Sequence, residues 1–410
     1  MTASPLIHVD LFAGVGGFAL GFEAAGFYQT ALMADSDYSA AMTFKSNRPQ
    51  ARYWPKDLAA VSGTDLLAMA KVDVGEIDVL SAGPPCQGLS RIGTRQLEDP
   101  RNALLKHTAE LIVEMQPKLA IIENVPALSW DGHGPIFDEL SQILARKGYN
   151  DLDVRVLEAW RYGVPQLRRR AIILAIHDDV IVPSVPTFPP GANGDGFFAR
   201  GLIRAAESGE PSGPTGLSVL DAIGDLPSIP AGGGQEAMPY DQEPISDYQR
   251  ARRRDATILF NHRARTHSAS MLRKMAMIPE GGRNQELADA ERLRSSEGEY
   301  FSQAYARLHR YGIAQTITTY FHNPGSGRFT HYQDLRALTV REAARFQSFD
   351  DDFILTGKME QQMRHIGNAV PVLLSKAIAA RCALLLGQSE PGDPEVQKVS
   401  ETSASALSAG

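Results

Sequence analysis

The cysteine at position 86 has the clearest potential for chemistry in this 410-residue sequence. It stands in the segment Gly83 to Gln87 (GPPCQ), directly after the apolar run Ile77 to Leu80, which predicts a buried strand. Two prolines stiffen the chain at this point. A thiol at the carboxyl end of a strand, beside basic groups, becomes a thiolate nucleophile. Cys86 is therefore the candidate nucleophile, and an inert core cysteine is the alternative.

A carboxylate ends one later apolar run, and polar and basic residues precede another. Glu123 closes the first run, and a carboxyl group in partly dry surroundings can keep or share a proton, as an acid that activates a ring must. Gln166, Arg168 and Arg170 precede the second run. Their guanidinium groups could raise thiolate character or hold a phosphate or a base carbonyl. A surface carboxylate and a solvated basic face are the plainer alternatives.

The first apolar run leads into a glycine-rich turn, residues 10–19 (DLFAGVGGFA). Glycines between a strand and a helix let the backbone approach a nucleotide-like ligand, and a helix N-terminus favours negative charge. Asp35 lies 21 positions after Gly14, just beyond the second predicted strand, where a carboxylate can accept ribose hydroxyls. These features indicate an adenosine-containing cofactor. Because Gly14-x-Gly16-x-x-Ala19 also fits a dinucleotide fingerprint, a nicotinamide-dependent oxidoreductase is an alternative.

The elements that must position these residues alternate short apolar runs with amphipathic stretches over residues 6–187. This pattern is typical of parallel strands joined by crossover helices. The sequence predicts strands at Leu6 to Phe12, Gln29 to Ala34, Ile77 to Ala82, Leu119 to Glu123 and Arg170 to Ile176, and helices at Phe18 to Ala25, Ser39 to Asn47, Asn102 to Met115 and Ile136 to Lys147. We therefore expect an α/β fold with a doubly wound, mostly parallel sheet.

The regular alternation stops at about residue 183, where clusters of proline and glycine begin. Helical spacing returns at Thr339 to Ser348 and at Val370 to Leu386. We expect a regular first domain at residues 1–185, a smaller loop-rich domain or insertion at 186–335 and a further regular segment at 336–387. The tail at 388–410 is rich in Ser, Glu, Pro and Ala and is predicted to be disordered.

Composition excludes several classes of protein. The two cysteines, Cys86 and Cys382, cannot form a disulfide framework or a cysteine-based structural zinc site, and no other metal site is expected.

The most apolar stretch, Val370 to Leu386, contains two basic residues and a proline, and predicts a soluble helix. No secretory signal is recognised at Met1 to Val9, so we expect a cytoplasmic protein. A net charge of −7 argues against a surface that is positive overall, although a local basic cleft could hold nucleic acid.

In their order along the chain, these segments resemble the motifs of the DNA (cytosine-5)-methyltransferase family. The resemblance covers about residues 6 to 387 and rests on Asp10 to Phe18, Pro84 to Gln87, Glu123 to Val125, Gln166 to Arg170, Arg336 to Arg345 and Gly367 to Pro371. The family's fold is that of S-adenosylmethionine-dependent methyltransferases. Each motif alone is weak evidence for the family, whereas the complete set in this order is strong evidence.

The resemblance implies a role for each matching residue. Cys86 would add to C6 of a cytosine that has left the DNA duplex, with Glu123 at the N3 side of the base. Arg170 would hold the base carbonyl, and Arg168 would lie nearby. The cofactor would be S-adenosylmethionine, with Phe12 on the adenine.

The remaining cofactor contacts follow in the same way. Asp35 would bind the ribose and Asp57 the adenine amino group. The turn glycines Gly14, Gly16 and Gly17 and the side chain of Asn368 would lie near the methionine end. Members of the family often have an aromatic residue after the ribose-binding carboxylate, but this chain has Ser36, so one adenine-stacking contact of the family would be missing.

The loop-rich domain occupies the position of the family's target-recognition domain. Between Arg250 and Met275 it has eight Lys or Arg against one acid, which suggests phosphate contacts or a solvated charged face. The residues expected to contact DNA are Gln87, Ser90, Gln166, Arg252, Arg253, Arg254 and Thr316. The expected partners are double-stranded DNA with a specific short sequence and a cognate restriction endonuclease of the same system, and the protein is expected to be a monomer.

Three rival functions remain at this point. The nicotinamide-dependent oxidoreductase leaves the motifs at Cys86, Arg170 and Gly367 unexplained. A catalytically inactive DNA-binding homologue is disfavoured by the presence of Cys86 and Glu123. Transfer RNA as substrate is disfavoured because the Cys-Phe-Thr signature of that branch of the family does not occur in this chain.

Overall fold

The structure is a computed structural model that describes residues 4–85, 102–126, 134–190, 216–287 and 301–389. Cys86, Gln87 and Ser90 lie outside the described residues, as does the predicted disordered tail from residue 390 onward.

The described residues form a large sheet with helices on both faces, followed by a loop-rich region and two long helices. The strands are β1 (Leu6–Leu11), β2 (Tyr28–Asp35), β3 (Tyr53–Pro55), β4 (Val79–Ala82), β5 (Leu119–Asn124), β6 (Asp151–Glu158), β7 (Gln166–Leu167), β8 (Arg169–Ile176), β9 (Gly234–Pro239), β10 (Ile258–Arg263) and β11 (Ala314–Gln315). The helices are α1 (Gly17–Ala25), α2 (Tyr38–Asn47), α3 (Gly63–Ala70), α4 (Asn102–Met115), α5 (Gly134–Ala145), α6 (Val219–Ile223), α7 (Asp247–Arg253), α8 (Ala269–Met277), α9 (Val340–Phe346), α10 (Met359–Asn368) and α11 (Val372–Leu385).

The main sheet confirms the predicted doubly wound α/β fold. Within the described residues its strand order is β3-β2-β1-β4-β5-β8-β6, and the first five of these strands are parallel. The strand predicted at 170–176 is present as β8, but it runs antiparallel to both β5 and β6, so the sheet is mostly and not wholly parallel. The sequence analysis missed β6. A parallel connection needs a crossover of a dozen or more residues, and the link from β6 to β8 is shorter than that.

Alternating side chains of the central strands divide the core into two layers. In β5, Ala120 and Ile122 pack with the helices α3, α4 and α5, whereas Leu119 and Ile121 pack with α1 and α11. This alternation follows from the two-residue period of a strand. Because both faces are covered, the strands are apolar almost throughout.

The end of the chain returns to its beginning. The Ser375 hydroxyl of α11 donates to the Phe18 carbonyl of α1 at 2.9 Å, and the Tyr28 hydroxyl donates to the Ala379 carbonyl at 2.8 Å. The stretch Met359–Leu385 is long and apolar enough to span a membrane by length and composition alone, but 61% of its apolar window is buried inside the protein. It therefore has the character of core helices.

Buried ion pairs join the loop-rich region to α9. Arg336, just before this helix, makes two 2.8 Å bonds to the buried Glu342 carboxylate and pairs at 2.9 Å with Asp334 of the loop-rich region. Arg345, on α9, binds Asp225 and Asp351. These groups, together with a shared apolar core, attach the loop-rich region firmly to the returning part of the chain.

Candidate active site

A cavity of about 400 Å³ lies at the carboxyl edge of the parallel strands. The ends of β1, β2, β4 and β5 meet there, and the start of β8 and the end of α10 close it. It is lined by Phe12, Ala13, Gly14, Val15, Gly17, Phe18, Asp35, Ser36, Asp37, Ala40, Gly83, Pro84, Pro85, Glu123, Asn124, Val125, Arg168, Arg170, His365, Gly367, Asn368, Ala369 and Val370. This edge is where open α/β sheets bind their ligands.

The turn between β1 and α1 forms one wall of the cavity. Phe12, Gly14 and Gly16 all have positive φ angles, of 55°, 53° and 83°, which are costly for residues with a Cβ. Gly16 does not line the cavity: a Cβ there would lie 2.3 Å from the Phe44 ring. Glycine at this position therefore lets the turn pack closely onto α2.

The Asp35 carboxylate lies beside this turn at the end of β2. One of its oxygens accepts a 2.9 Å hydrogen bond from the Gly14 amide, and the other accepts a 2.8 Å bond from the Asp37 amide. Carboxylate oxygens can accept more than one bond each, so Asp35 can also accept the two hydroxyls of a ribose. Asp57 is exposed, caps the short turn at 58–60, and is not among the lining residues.

The sequence analysis missed a polar cluster at the rim of the cavity. Asp37 accepts bonds from Arg364 at 2.7 Å and from the His365 ring at 3.2 Å. Burial raises the pKa of Asp37, but its bond from Ser39 and the charges of His365 and Arg364 outweigh this effect and leave the pKa well below the ordinary value. The available signal was that Asp37 follows Asp35 closely and that His365 stands just before the Gly367 motif.

Close backbone contacts hold the returning segment against the cavity. A Cβ at Gly17 would lie 2.2 Å from the Val370 carbonyl oxygen, and one at Gly367 would lie 2.4 Å from the Thr319 amide nitrogen. Two glycines thus allow α1, the end of α10 and the loop at Thr319 to meet. Asn368, at the end of α10, is exposed and lines the cavity as expected.

The side chains of Glu123 and Arg170 contact each other in the lining of the cavity. The Arg170 Nε lies 2.7 Å from Glu123 Oε1, and the side chains are 16% and 12% exposed. The next residue, Asn124, donates to the Pro84 carbonyl at 3.2 Å, which fixes the chain that leads to Cys86. A carboxylate, a guanidinium and this proline segment therefore meet at one place.

Arg168 and Gln166 lie deeper than Arg170. Arg168 is 1% exposed and donates to the Ile317 carbonyl at 3.0 Å, and burial lowers its pKa well below the ordinary value. Gln166 is completely buried, where it donates to Gln347 and accepts a bond from the Ile317 amide. The amide group of Gln166 is enclosed and its hydrogen bonds are used within the protein, which argues against a direct contact of Gln166 with DNA.

The arginines expected to bind DNA have partners inside the protein. Arg252 and Arg254 bind the Asp350 carboxylate, and Arg253 stacks on the Tyr240 ring at 3.8 Å. Arg252 and Arg254 lie beside the last turns of α1, whereas the first turn of α1 lines the cavity. These contacts speak against the three arginines as DNA ligands at the cavity mouth.

Thr316 is half-buried in the loop that follows β11. Its hydroxyl donates to the Leu167 carbonyl at 2.7 Å, so it supports the pairing of β7 with β11. Any contact of Thr316 with DNA would have to use its remaining acceptor capacity.

A buried polar chain lies behind the glycine turn. The Ser81 hydroxyl donates to Asp10 at 2.7 Å and lies 2.9 Å from the His8 ring. Burial raises the pKa of Asp10 to about 7 and lowers that of His8 to about 3. His8 is thus neutral at neutral pH.

The sheet and its cavity define an α/β protein with a ligand-sized site at the carboxyl edge of its strands, and comparison with known proteins identifies its family. The family model for C-5 cytosine-specific DNA methylases matches residues 6–383. The chain is 33% identical over 377 residues to the type II methyltransferase M1.HphI of Haemophilus parahaemolyticus, covering 91% of this chain and 86% of that protein. It is 32% identical over 390 residues to M.DdeI of Desulfomicrobium norvegicum, covering 91% and 87%. The chain therefore belongs to the C-5 cytosine-specific DNA methylase family.

Solved structures agree with this fold. A crystal structure described as that of a DNA modification methyltransferase from an Escherichia coli prophage superposes with a TM-score of 0.70 at 22% identity, covering 93% of this chain and all of that one. The Dnmt2 methyltransferase of S. pombe superposes with a TM-score of 0.55 at 16% identity, covering 93% and 98%.

Family membership establishes the activity. The protein is a DNA (cytosine-5)-methyltransferase, and S-adenosylmethionine is its methyl donor. The nicotinamide-dependent oxidoreductase considered for the glycine turn is thereby ruled out.

Proposed function

We propose that Cys86 is the nucleophile of a covalent methyl transfer to C5 of a cytosine that has swung out of DNA. The observation that carries this proposal is that Pro85, the residue before Cys86, lines the same cavity as Glu123, Arg170 and Asp35. A base stacked in a duplex cannot reach a group at the edge of this sheet, so the target base leaves the helix.

Each residue has a defined part in the reaction. The Cys86 thiolate forms a bond to C6, and the electrons of the C5–C6 double bond move into the ring toward N3. Glu123 shares a proton with N3, and Arg170 holds the base carbonyl, so the ring becomes an enamine with a nucleophilic C5. S-adenosylmethionine supplies a methyl group on a positively charged sulfur. C5 would take this methyl group as the bond from the methyl carbon to sulfur breaks, leaving a neutral thioether. A base or water then removes the C5 proton, N3 returns its proton to Glu123, the C5–C6 double bond re-forms, and Cys86 leaves as the thiolate.

The cavity fits the cofactor. Its volume of about 400 Å³ is within the range of small-molecule sites, and its lining combines the Phe12 ring with the Asp35 carboxylate. Phe12 packs on the adenine, and Asp35 accepts the ribose hydroxyls. Gly14, Gly17 and Asn368 surround the methionine end, and Gly16 supports the turn from behind by packing on Phe44. Asp57, which is outside the lining, is the proposed partner of the adenine amino group.

Arg168 acts in a different way from Arg170. Its guanidinium donates to the Ile317 carbonyl at 3.0 Å and to the Gly367 carbonyl at 3.4 Å, so it ties the loop after β11 and the end of α10 to β8. Arg168 therefore positions the wall of the cavity, and Arg170 contacts the base.

We also propose the organisation of the chain around this site. Residues 186–335 form the target-recognition domain, which reads a specific short sequence, and residues 1–185 and 336–387 form the catalytic domain. Gln87, Ser90 and Thr316 are the proposed DNA contacts. The type II names of the relatives support a restriction-modification context with a cognate endonuclease. The protein acts as a cytoplasmic monomer, associated with the nucleoid in a bacterium.

Trapping of the covalent adduct tests the proposed nucleophile. DNA fragments of many sequences, with 5-fluorocytosine in place of cytosine, are incubated with the protein and S-adenosylmethionine. Because fluorine at C5 cannot leave as a proton, the protein stays bound to the DNA. The wild type is expected to form a denaturation-resistant complex, and Cys86→Ser is expected to form none and to lose methyl transfer.

The second cysteine provides the matched control. Cys382 is 2% exposed in α11, and burial raises the pKa of its thiol to about 12, so Cys382→Ser should still form the complex. Wild-type turnover by Cys86→Ser would refute the proposed nucleophile. The sequences of the trapped fragments would identify the recognition site.

A further inference from the structure

The Tyr53 hydroxyl contacts the glycine turn from outside the cavity. Tyr53 is the first residue of β3, pairs with Met33 of β2 and is 7% exposed. Its hydroxyl donates to the Gly14 carbonyl at 2.7 Å. Tyr53 itself is not among the residues that line the cavity, so any effect on a bound ligand has to pass through Gly14.

Gly14 depends on hydrogen bonds rather than on packing. A Cβ at this position would meet no atom within 4 Å, so no side chain fixes the residue from that direction. Its amide donates to Asp35 at 2.9 Å and its carbonyl accepts from Tyr53. With φ of 53°, this glycine has many other accessible conformations. The two hydrogen bonds, one at the amide and one at the carbonyl of Gly14, therefore hold this residue in the observed conformation.

The chemistry of the Tyr53 hydroxyl suits a permanent donor. Burial and the nearby carboxylates of Asp35, Asp10 and Asp37 raise the pKa of Tyr53 well above its ordinary value. The phenol therefore keeps its proton at neutral pH and can act as a donor there. Its ring lies 6.2 Å from that of Phe44, the residue on which Gly16 packs. The side chain is thus held in place beneath the turn.

We propose that Tyr53 is a positioning residue for S-adenosylmethionine, because it fixes the Gly14 peptide and thereby keeps Asp35 and the turn in their binding geometry. This inference rests on the proposed location of the cofactor in the cavity. Without the hydroxyl, the Gly14 carbonyl loses its partner and the turn samples conformations that cannot bind. Ligand binding must then restore the order, so the affinity falls.

The test is cofactor binding without DNA, measured by calorimetry with S-adenosylmethionine for Tyr53→Phe. We expect the Kd to rise about tenfold, which corresponds to the loss of one hydrogen bond. In steady-state kinetics the KM for S-adenosylmethionine should rise by a similar factor while kcat stays near the wild-type value, because Tyr53 touches neither base nor methyl group. Amide hydrogen exchange in residues 12–17 should also become faster.

Tyr28→Phe is the matched control. The Tyr28 hydroxyl also donates to a main-chain carbonyl, that of Ala379 at 2.8 Å, and is buried away from the cavity. Tyr28→Phe should lower the unfolding midpoint as much as Tyr53→Phe does, but it should leave the Kd for S-adenosylmethionine unchanged. An equal rise in Kd for both variants, or a Kd within twofold of wild type for Tyr53→Phe, would overturn the inference.

Asp35→Asn separates the two proposals. If it abolishes binding while Tyr53→Phe binds normally, the cofactor location stands and the role of Tyr53 is rejected. If both bind normally, the cofactor location itself is wrong. If both weaken binding and the double variant is no worse than Asp35→Asn alone, the two residues act together through Gly14, as the structure implies.

Discussion

Glu123 Oε1 lies 2.7 Å from Arg170 Nε, so the two groups proposed to bind the target base hold each other before any base arrives. They stand at the ends of neighbouring antiparallel strands, β5 and β8. Arg170 is anchored further by a 2.7 Å bond to the Arg169 carbonyl. The pair is therefore preorganised, because each group already has a partner that holds it in place at the cavity.

Glu123→Gln should lower the single-turnover rate of methyl transfer at least about hundredfold, because the amide cannot supply a proton at N3. The Kd for S-adenosylmethionine should stay within about twofold of the wild-type value, since the proposed ribose contact is Asp35 and not Glu123. The comparison variant is Glu110→Gln, which removes an exposed pair with Arg146 of 3.0 Å and should leave the rate unchanged. A wild-type rate for Glu123→Gln would exclude the acid role.

Asp37→Asn should weaken cofactor binding about fivefold. The substitution removes the charge that binds Arg364 and His365, so the end of α10 and with it Asn368 become less firmly placed beside the cavity. Calorimetry measures the effect. Asp247→Asn serves as the control, because Asp247 also pairs with an arginine but is almost fully exposed; equal effects of the two substitutions would contradict the prediction.

Gly17→Ala should abolish cofactor binding and lower the unfolding midpoint, because its Cβ would meet the Val370 carbonyl at 2.2 Å. Backbone cannot move aside as a flexible side chain can, so α1 and the returning segment must separate. Gly26→Ala, at the other end of the same helix, meets no atom within 4 Å but has φ of 82°. It should cost about 1 kcal/mol of stability and bind the cofactor normally. Normal binding by Gly17→Ala would show that this close approach is dispensable.

Glu342→Gln should destabilise the protein by about 3 kcal/mol, because it removes one of the two carboxylates that pair with the buried Arg336 guanidinium and leaves only Asp334. Urea denaturation at pH 7 measures the loss. Glu360→Gln is the comparison: its pair with Arg265 is 3.5 Å long and largely exposed, so the free energy of unfolding should change by less than about 1 kcal/mol.

The ion pair between Arg336 and Glu342 also makes the stability of the protein depend on pH. Burial raises the pKa of Glu342, but the charges of Arg336 and His331 outweigh it and hold the pKa well below the ordinary value. A depressed pKa in the folded state stabilises the protein at pH values above the unfolded pKa of about 4.3, and this stabilisation is lost as the pH falls below it. Asp351, whose pKa is lowered to about 2 by the charge of Arg345 in spite of burial, acts in the same direction. The urea midpoint should therefore fall between pH 5 and 3, and less steeply in Glu342→Gln.

The order of the elements in the first half of the chain could be predicted because each depends on local pattern. Helix α4 begins and ends where its flanking prolines indicate, at Asn102 and Met115, and β1, β2 and β5 were located to within a residue or two. The antiparallel β6 was missed because its residues are only half-buried at the edge of the sheet and show no strong apolar run.

The roles of the arginines could not be predicted in the same way. Charge density suggested that Arg252 to Arg254 bind DNA, yet their nearest partners are Asp350 and Tyr240, which are distant in sequence or carry no charge. Gln166 stands in a motif at the edge of the site but is buried against Gln347. Whether a polar side chain meets solvent or a buried partner depends on packing between distant segments.

The sequence by itself determined the family, the methyl donor and the identity of the candidate nucleophile and acid, because these depend on residue types in a set order along the chain. Only the tertiary structure decided that the last helices complete the cavity, that Asp37 and His365 meet at its rim, and that Tyr53 reaches Gly14. Those contacts join residues far apart in the chain, and they form because a shared core and complementary hydrogen bonds outweigh the entropy of bringing them together.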